Sequence, residues 1–541
     1  MSSDARASVD AVVVGAGFAG LYMLHRLRGL GLSAVVYERA AGVGGTWYWN
    51  RYPGARCDVE SLHYSYSFDP DLEREWDWTE RYAAQPEILA YLNHVADRFD
   101  LRRDIRFETT VRSATFDETA HGWRLDVDPG GTTTCRFLIL ATGCLSDAQV
   151  PPIPGLESFA GRWYHTGNWP HEGVDFTGQR VAVIGTGSSG IQSIPIIAAQ
   201  AEHTYVLQRT PNFSIPARNG PLDPRVLKET QENYAVVREA IRRSPLYFPV
   251  NFDPRGTMGV PDDEFRSIIE NRWEGGGLGI AATFADILMS EQAAERVAGV
   301  VREKIRAKLD DPAVAERLIP TSYPFAAKRL CLDTGYFETF NRDDVTLVDL
   351  RDGPITGIVP AGVATEQGTI EVDAIVFATG FDAMTGSILR IAITGRGGLT
   401  IQEKWAGGPV TYLGLAVHGF PNLFTITGPG SPSVLSNMVP SIEQHVDWIA
   451  DCLAHLADHG VDVIEAEAAA EREWTDQVHA LGDMTIFPKA NSWYMGRNIE
   501  GKPVGFMPFV GGTVLYRQIC DGIAERGYPG FSLGARVNQP A

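Results

Sequence analysis

Two glycine triplets define the chemistry open to this 541-residue chain. The first, Gly15, Gly17 and Gly20 in "VDAVVVGAGFAG", follows an apolar run, Ala11 to Val14, that reads as a buried parallel strand. A helical stretch from Phe18 and Ala19 to Leu30, closed by Gly31, leads into a second strand, "LSAVVYE". Such glycines allow a tight turn, close approach of backbone to a pyrophosphate, and packing of helix on strand. Glu38 ends the second strand, where a carboxylate accepts hydrogen bonds from ribose hydroxyls.

The second triplet, Gly185, Gly187 and Gly190 in "QRVAVIGTGSSG", encloses Thr186, Ser188 and Ser189 and continues into Ile191 and Gln192. Its second strand, "HTYVLQR", puts Arg209 and Thr210 where the first unit has Glu38. An acid repels a ribose 2′-phosphate, whereas arginine pairs with one. The first unit is therefore expected to bind a dinucleotide lacking that phosphate and the second to bind NADPH. A solvated strand-end charge is the bland alternative for Arg209. FAD taking hydride from NADPH is the natural pairing. The six cysteines (Cys57, Cys135, Cys144, Cys331, Cys452, Cys520) contain no C-x-x-C pair, which removes a dithiol acceptor and a zinc site. Molecular oxygen is the remaining acceptor, so a flavin monooxygenase is expected.

The elements that must hold these turns are legible in outline. Two further strands, "RFLILATGC" and "DAIVFATGF", exit through Ala-Thr-Gly and bracket the second triplet. The chain is thus expected to leave a first unit near 144 and return near 380, one unit inserted in the other. Helical spacing fills "LDPRVLKETQENYAVVREAIRRS" and "SEQAAERVAGVVREKIRAKLDD", with Val297, Val300, Val301 and Ile305 on one face. The expected fold class is α/β: two nested Rossmann-like dinucleotide-binding domains with a helical insertion. The expected division is 1–145 and 381–541 for FAD, 146–219 and 323–380 for NADP, and 220–322 for the insertion; after about 515 a helix and short tail are expected.

Composition fits this reading. Lys+Arg total 47 against 67 Asp+Glu, a formal net charge of -20, which disfavours nucleic acid and anionic lipid as partners. No apolar stretch reaches the roughly 18 residues of a membrane span, and "MSSDARASVD" has no apolar signal core. A cytoplasmic protein with reduced, buried thiols and no metal, a monomer or weak oligomer, is expected.

Between the two triplets lies "FAGRWYHTGNWP". Phe159, Gly161, His165, Trp169 and Pro170 match F-x-G-x-x-x-H-x-x-x-W-P, and on this motif the chain resembles the class B Baeyer–Villiger monooxygenases. The resemblance extends over "GGTWYWNRYPGARCDVES", "QPEILAYL", "IGTGSSGIQ", "AKRLCLDTGYFETFNRDDV", "ATGFDA", "GPGSPSVLSNM" and "ANSWYMGRNIEGKP". It is nearer to phenylacetone and steroid monooxygenases than to cyclohexanone monooxygenase. The implied reaction uses NADPH-reduced FAD and oxygen to form a C4a-peroxide that converts a ketone to an ester or lactone. A flavin N- or S-hydroxylase is the alternative, and a redox-sensing flavoprotein a third.

By this resemblance Arg329 is the cation aimed at the reacting anion, a role arginine suits because it stays protonated. Asp58 is implied as its partner, with Arg56, the neighbour of Asp58, left as the other arginine that could pair with that carboxylate. Gly45, Thr46, Trp47, Tyr48, Trp49, Asp58, Tyr64, Val111 and Met438 are implied along the FAD. Arg56, Cys57, Lys328 and Trp493 are implied on the NADP side, Lys328 on the 2′-phosphate and Trp493 on a mobile loop near 490–503. Residues 159–170 are implied as a linker near the hinge whose His165 couples domain movement to catalysis away from the flavin, with Phe159 and Trp169 packing. Ser433, Val434 and Leu435 lie in a stretch about two residues longer than its cyclohexanone counterpart and are implied at the ketone pocket.

Overall fold

The computed structural model describes residues 7–250 and 252–535. The chain first lays down β1 (Ala7–Val14), helix α1 (Phe18–Gly29), β2 (Ala34–Tyr37), the short helix α2 (Thr46–Trp49), α3 (Pro70–Glu75) and α4 (Gln85–Arg98). Strands β3 (Ile105–Arg106), β4 (Thr110–Asp117), β5 (Gly122–Asp128) and β6 (Gly131–Leu140) follow. It then forms β7 (Arg162–His165), β8 (Arg180–Ile184), α5 (Ser188–Ala198) and β9 (His203–Gln208). After the small pair β10 (Ser214–Pro216) and β11 (Cys331–Asp333) come β12 (Val345–Asp349), the meander β13 (Ile355–Val359), β14 (Gly362–Thr365), β15 (Gly368–Glu371), and β16 (Ala374–Phe377). The last strands are β17 (Ala392–Thr394), β18 (Leu423–Thr425), β19 (Val461–Ala466) and β20 (Phe531–Ala535).

Two sheets organise these strands. One has the order β17-β4-β5-β6-β1-β2-β3, with β18 also on β6; the other runs β12-β9-β8-β16-β7. β1 lies parallel to both β2 and β6, and Ala11, Val12 and Val13 are fully buried, as a central strand covered on both faces requires. α1 packs on that sheet and on the helix Met438–Asp458, where the Tyr22 hydroxyl donates to Asp447 at 2.6 Å.

Between Leu140 and Phe377 the chain passes from the first sheet to the second and back, and the two crossings pair with each other. Gln149 N–H donates to the Gly380 carbonyl (2.9 Å), Asp382 N–H to that of Asp147 (2.8 Å) and Met384 N–H to that of Cys144 (2.8 Å).

The stretch 224–318 carries the helices α6 (Pro224–Glu232), α7 (Tyr234–Arg242), α8 (Asp262–Gly275), α9 (Glu291–Arg306) and α10 (Pro312–Leu318), joined by irregular chain. The first stretch of helical spacing is divided at Asn233, whose side-chain amide donates to the Glu229 carbonyl and competes with the backbone ladder. α7 is tied to the first unit by a buried ion pair: Arg238 meets Glu73 at 2.6 Å and also bonds Ser65. The expected tail also differs, because Phe531–Ala535 pairs antiparallel with β19, a partner too distant in sequence for local pattern to reveal. Among the described residues no helix is long and apolar enough to cross a membrane.

Candidate active site

Both glycine turns fold as their spacing demands. Gly15 sits at φ +106, and a Cβ there would lie 2.6 Å from the Ala141 carbonyl oxygen. A Cβ on Gly20 would fall 1.8 Å from the Gly15 oxygen, so helix and strand close only on glycine. α1 begins on Gly17 with no side-chain cap, leaving first-turn N–H groups for an anion. Gly17 is packed against Gly45, whose Cβ would come 2.9 Å from the Gly17 Cα; this brings Thr46, Trp47, Tyr48 and Trp49 of α2 beside the turn. Phe18 and Ala19 are buried in α1.

Glu38 follows β2 and is 5% exposed, its two carboxylate oxygens accepting the N–H groups of Ala16 (2.7 Å) and Ala40 (2.8 Å). Burial raises its pKa, and these backbone bonds oppose the rise. Tyr64 stacks edge-on to Phe18 and accepts the Trp47 indole N–H at 3.2 Å, while Met438 opens the long helix nearby. Val111 lies apart, in the cluster with Val12, Val14 and Tyr37.

The second turn repeats the geometry. Gly185 has φ +110, a Cβ on Gly190 would sit 2.3 Å from the Gly185 oxygen, and Ile191 is buried behind them. A Cβ on Gly187 would meet nothing within 4 Å, and α5 starts there uncapped. The Thr186 hydroxyl donates to the Thr210 carbonyl at 3.1 Å, Ser188 to the Cys331 sulfur, and Ser189 accepts from Thr166. Gln192 reaches back to the first unit, donating to the Arg56 carbonyl and accepting from Tyr52. Arg209 is exposed at the end of β9, and its charge acts on Lys328. Burial, then repulsion by Arg209, lowers the Lys328 ammonium to about 8. Two mutually repelling cations thus stand at the end of this Rossmann strand, a repulsion that a bound anion would relieve.

The two units meet at Arg329. Its Nε and Nη2 donate to one Asp58 oxygen at 3.0 and 2.6 Å, and its Nη1 donates to the Val434 carbonyl at 2.8 Å. Burial works against this cation, but Asp58 and Tyr494 outweigh it, so the guanidinium stays charged well above its ordinary range. Arg56 is not the partner of Asp58; it pairs with Glu80 at 2.7 Å and the Tyr82 carbonyl at 3.0 Å. Val434 belongs to the turn Ser433–Leu435, in which Ser433 is fully buried at φ +28. Apolar side chains of Val434, Met384, Phe487, Met495, Phe506 and Met507 cluster beside it, with Trp493 and Leu435 half-buried at the edge.

Sequence reasoning missed Tyr494. Its ring packs on Trp493 (4.2 Å between centroids), is buried, and faces Arg329; burial pushes the phenol up to about 12. It stands next to Trp493 in the chain, but no spacing marks it.

Three thiols, Cys57, Cys144 and Cys331, surround the same site, and all six cysteines are buried and free. Burial pushes Cys144 and Cys331 up to about 11 and raises Cys57 as well. No cluster able to hold a metal occurs among the described residues.

The stretch 159–170 is more than a connector. Arg162–His165 is the edge strand β7, parallel to β16, and Gly161 is required because a Cβ would lie 2.2 Å from the Asp373 oxygen. Phe159 and Trp169 are buried packing residues, the Trp169 N–H reaching the Trp49 carbonyl before Pro170. His165 is 3% exposed; its Nδ1 accepts the Gly167 N–H at 2.9 Å and its Nε2 lies 3.3 Å from the Thr379 hydroxyl. Burial lowers its pKa, which keeps the ring neutral.

Residues 12–241 match the pyridine nucleotide-disulphide oxidoreductase family. A Baeyer–Villiger monooxygenase of Pseudooceanicola batsensis is 41% identical over 96% of this chain and 96% of its own. A phenazine N-monooxygenase of Lysobacter antibioticus is 41% identical over 97% of each chain. The solved structure of an oxidised steroid monooxygenase bound to NADP is 53% identical, superposes with a TM-score of 0.94, and covers 98% of this chain and 100% of that one. With two nested glycine turns meeting at an arginine–aspartate pair, this chain belongs to the Baeyer–Villiger monooxygenase family.

Proposed function

We propose that this chain is an NADPH- and oxygen-dependent flavin monooxygenase that inserts an oxygen atom beside a ketone carbonyl to give an ester or lactone. The observation that carries the reading is the charged Arg329 guanidinium, held by Asp58 where the two dinucleotide turns meet and beside the apolar pocket around Val434. Bound FAD, reduced by NADPH, supplies the electrons and, with oxygen, the atom transferred.

Among the described residues, those of 1–145 and 381–541 are assigned to the FAD unit, those of 146–219 and 323–380 to the NADP unit, and those of 220–322 to a helical insertion. The uncapped start of α1 receives the FAD pyrophosphate, Glu38 its ribose, and residues 45–49 with Tyr64 flank the flavin. The glycine gap at Gly187 admits the NADP pyrophosphate, and Arg209, Thr210 and Lys328 take its 2′-phosphate. Asp58 fixes the guanidinium plane, and Arg329 stabilises negative charge as it develops on the carbonyl oxygen. Val434, Leu435 and Trp493 shield that charge from water.

The likeness to a phenazine N-monooxygenase supports a second reading, oxygenation of heteroatoms at the same site. Product identification by mass spectrometry over cyclic, aryl and bulky ketones beside a thioether and an aromatic amine separates them. Ester or lactone formed in proportion to NADPH consumed supports the first reading; oxidised heteroatom with untouched ketone overturns it.

The Lys328 site carries its own prediction. A group whose pKa is lowered in the free protein and raised by an anion binds that anion fully while protonated. NADPH affinity is therefore full between the second ionisation of its 2′-phosphate, at pH ~6, and pH about 8, and falls by up to about tenfold per pH unit above that. KM profiles should show this for NADPH, not for NADH, and Lys328→Met should flatten it.

A further inference from the structure

Segment 490–503 brings Trp493 and Tyr494 to Arg329, and its far end is fastened elsewhere. The Lys502 side chain is only 8% exposed, and its ammonium bonds the Asp382 carboxylate and the Ala383 carbonyl, the latter at 2.7 Å. Four residues earlier, the Asn498 amide donates to the Phe381 carbonyl at 2.8 Å. The segment is closed on itself by Met507 N–H donating to the Tyr494 carbonyl and Gly505 N–H to that of Met495.

All three anchor points, Phe381, Asp382 and Ala383, lie on the second crossing between the sheets, the segment already hydrogen-bonded to the first crossing. The motif of residues 159–170 rests on that same crossing. The His165 ring touches Thr379 and stands edge-on to Phe381, and a Cβ on Gly167 would come 2.6 Å from the Phe381 ring. One unbroken line of contacts therefore joins the motif, the crossing, the segment and the guanidinium.

We propose that Lys502 and Asp382, with Asn498, are positioning residues for the oxygenation: a latch by which the crossing holds segment 490–503, and with it Tyr494 and Trp493, against the Arg329 site. This rests on the function proposed above for that site. A lysine this buried is unfavourable unless its charge is paired, so losing Asp382 obliges the ammonium to seek water and lifts the segment with it. Between these anchors and the buried Tyr494 and Met495 the segment has less to hold it, since Arg497, Glu500 and Gly501 are exposed.

Hydrogen–deuterium exchange followed by mass spectrometry on the FAD-loaded full chain tests the latch. Lys502→Met and the near-isosteric Asp382→Asn should each speed exchange of peptides covering 490–503 about tenfold and weaken NADP⁺ binding by a similar factor. The double variant should add little to either single one, as expected of two groups in one interaction. Peptides of β1, α1 and β6 should exchange as in the parent, and FAD should be retained. Unchanged exchange at 490–503 in both single variants, additive effects in the double variant, or faster exchange spread over the whole chain overturns the proposal. The outcome is independent of whether the parent oxygenates ketones, so a failure of that reading is seen separately.

Discussion

Replacing Arg329 with alanine is expected to lower ester formation from ketones by about a thousandfold or more, measured as kcat/KM with product quantified. An anion at ~4 Å from a guanidinium gains about 4 kcal/mol at an effective dielectric near 20, which is about three decades of rate. The geometry supports using the whole of that interaction, because Asp58 and the Val434 carbonyl hold the cation before substrate arrives. Arg329→Lys should recover little, since a lysine ammonium cannot keep the two-nitrogen grip on Asp58 while reaching the Val434 carbonyl. FAD content should be unaltered, because the first glycine turn and Glu38 lie on other elements. Heteroatom oxygenation needs no such cation on a carbonyl oxygen and should fall far less. Ester formation at the parental rate in the alanine variant would refute the assignment.

Gly187→Ala and Gly190→Ala are expected to fail in opposite ways, although only three positions separate them. A Cβ on Gly190 collides with the backbone at Gly185, 2.3 Å away, where no side chain can give way. We expect a loss of about 3 kcal/mol, seen as a lower thermal midpoint and poor soluble yield. At Gly187 the new methyl meets no protein atom, and the φ of -83 to -81 seen at the two helix starts is ordinary for alanine. Its stability cost should stay within about 1 kcal/mol, the loss of a modest N-cap. The methyl instead occupies the approach of the pyrophosphate, so KM for NADPH should rise about a hundredfold, about 2.7 kcal/mol. A Gly187→Ala variant with parental KM would remove the dinucleotide from this turn.

What was legible in the sequence was what local spacing dictates. The glycine triplets, the flanking apolar strands and the helices after them follow from steric rules that act within about 30 residues, and each lies where its pattern put it. The pairing of Arg329 with Asp58 came from likeness to a family; nothing in the spacing of residues 271 apart could select Asp58 over its neighbours. Long-range geometry settled the competing role of Arg56, which Glu80 claims. The same limit hid Tyr494, the Lys502 anchor and strand β20, each defined by a partner far along the chain. The break at Asn233 was hidden for a different reason: an asparagine inside a helical pattern bends the chain only if its amide finds a carbonyl, here that of Glu229.

The sulfur atoms around the oxygen-handling centre have a bearing on durability. Only the thiolate reacts readily with hydrogen peroxide, and at pH 7 a thiol titrating near 11 is ionised in roughly one molecule of ten thousand. Cys331 and Cys144 thus sit beside the chemistry as inert filler, slow to climb the oxidation ladder when turnover leaks peroxide. A preparation kept without reducing agent should therefore lose its working life to other causes before its thiols are consumed.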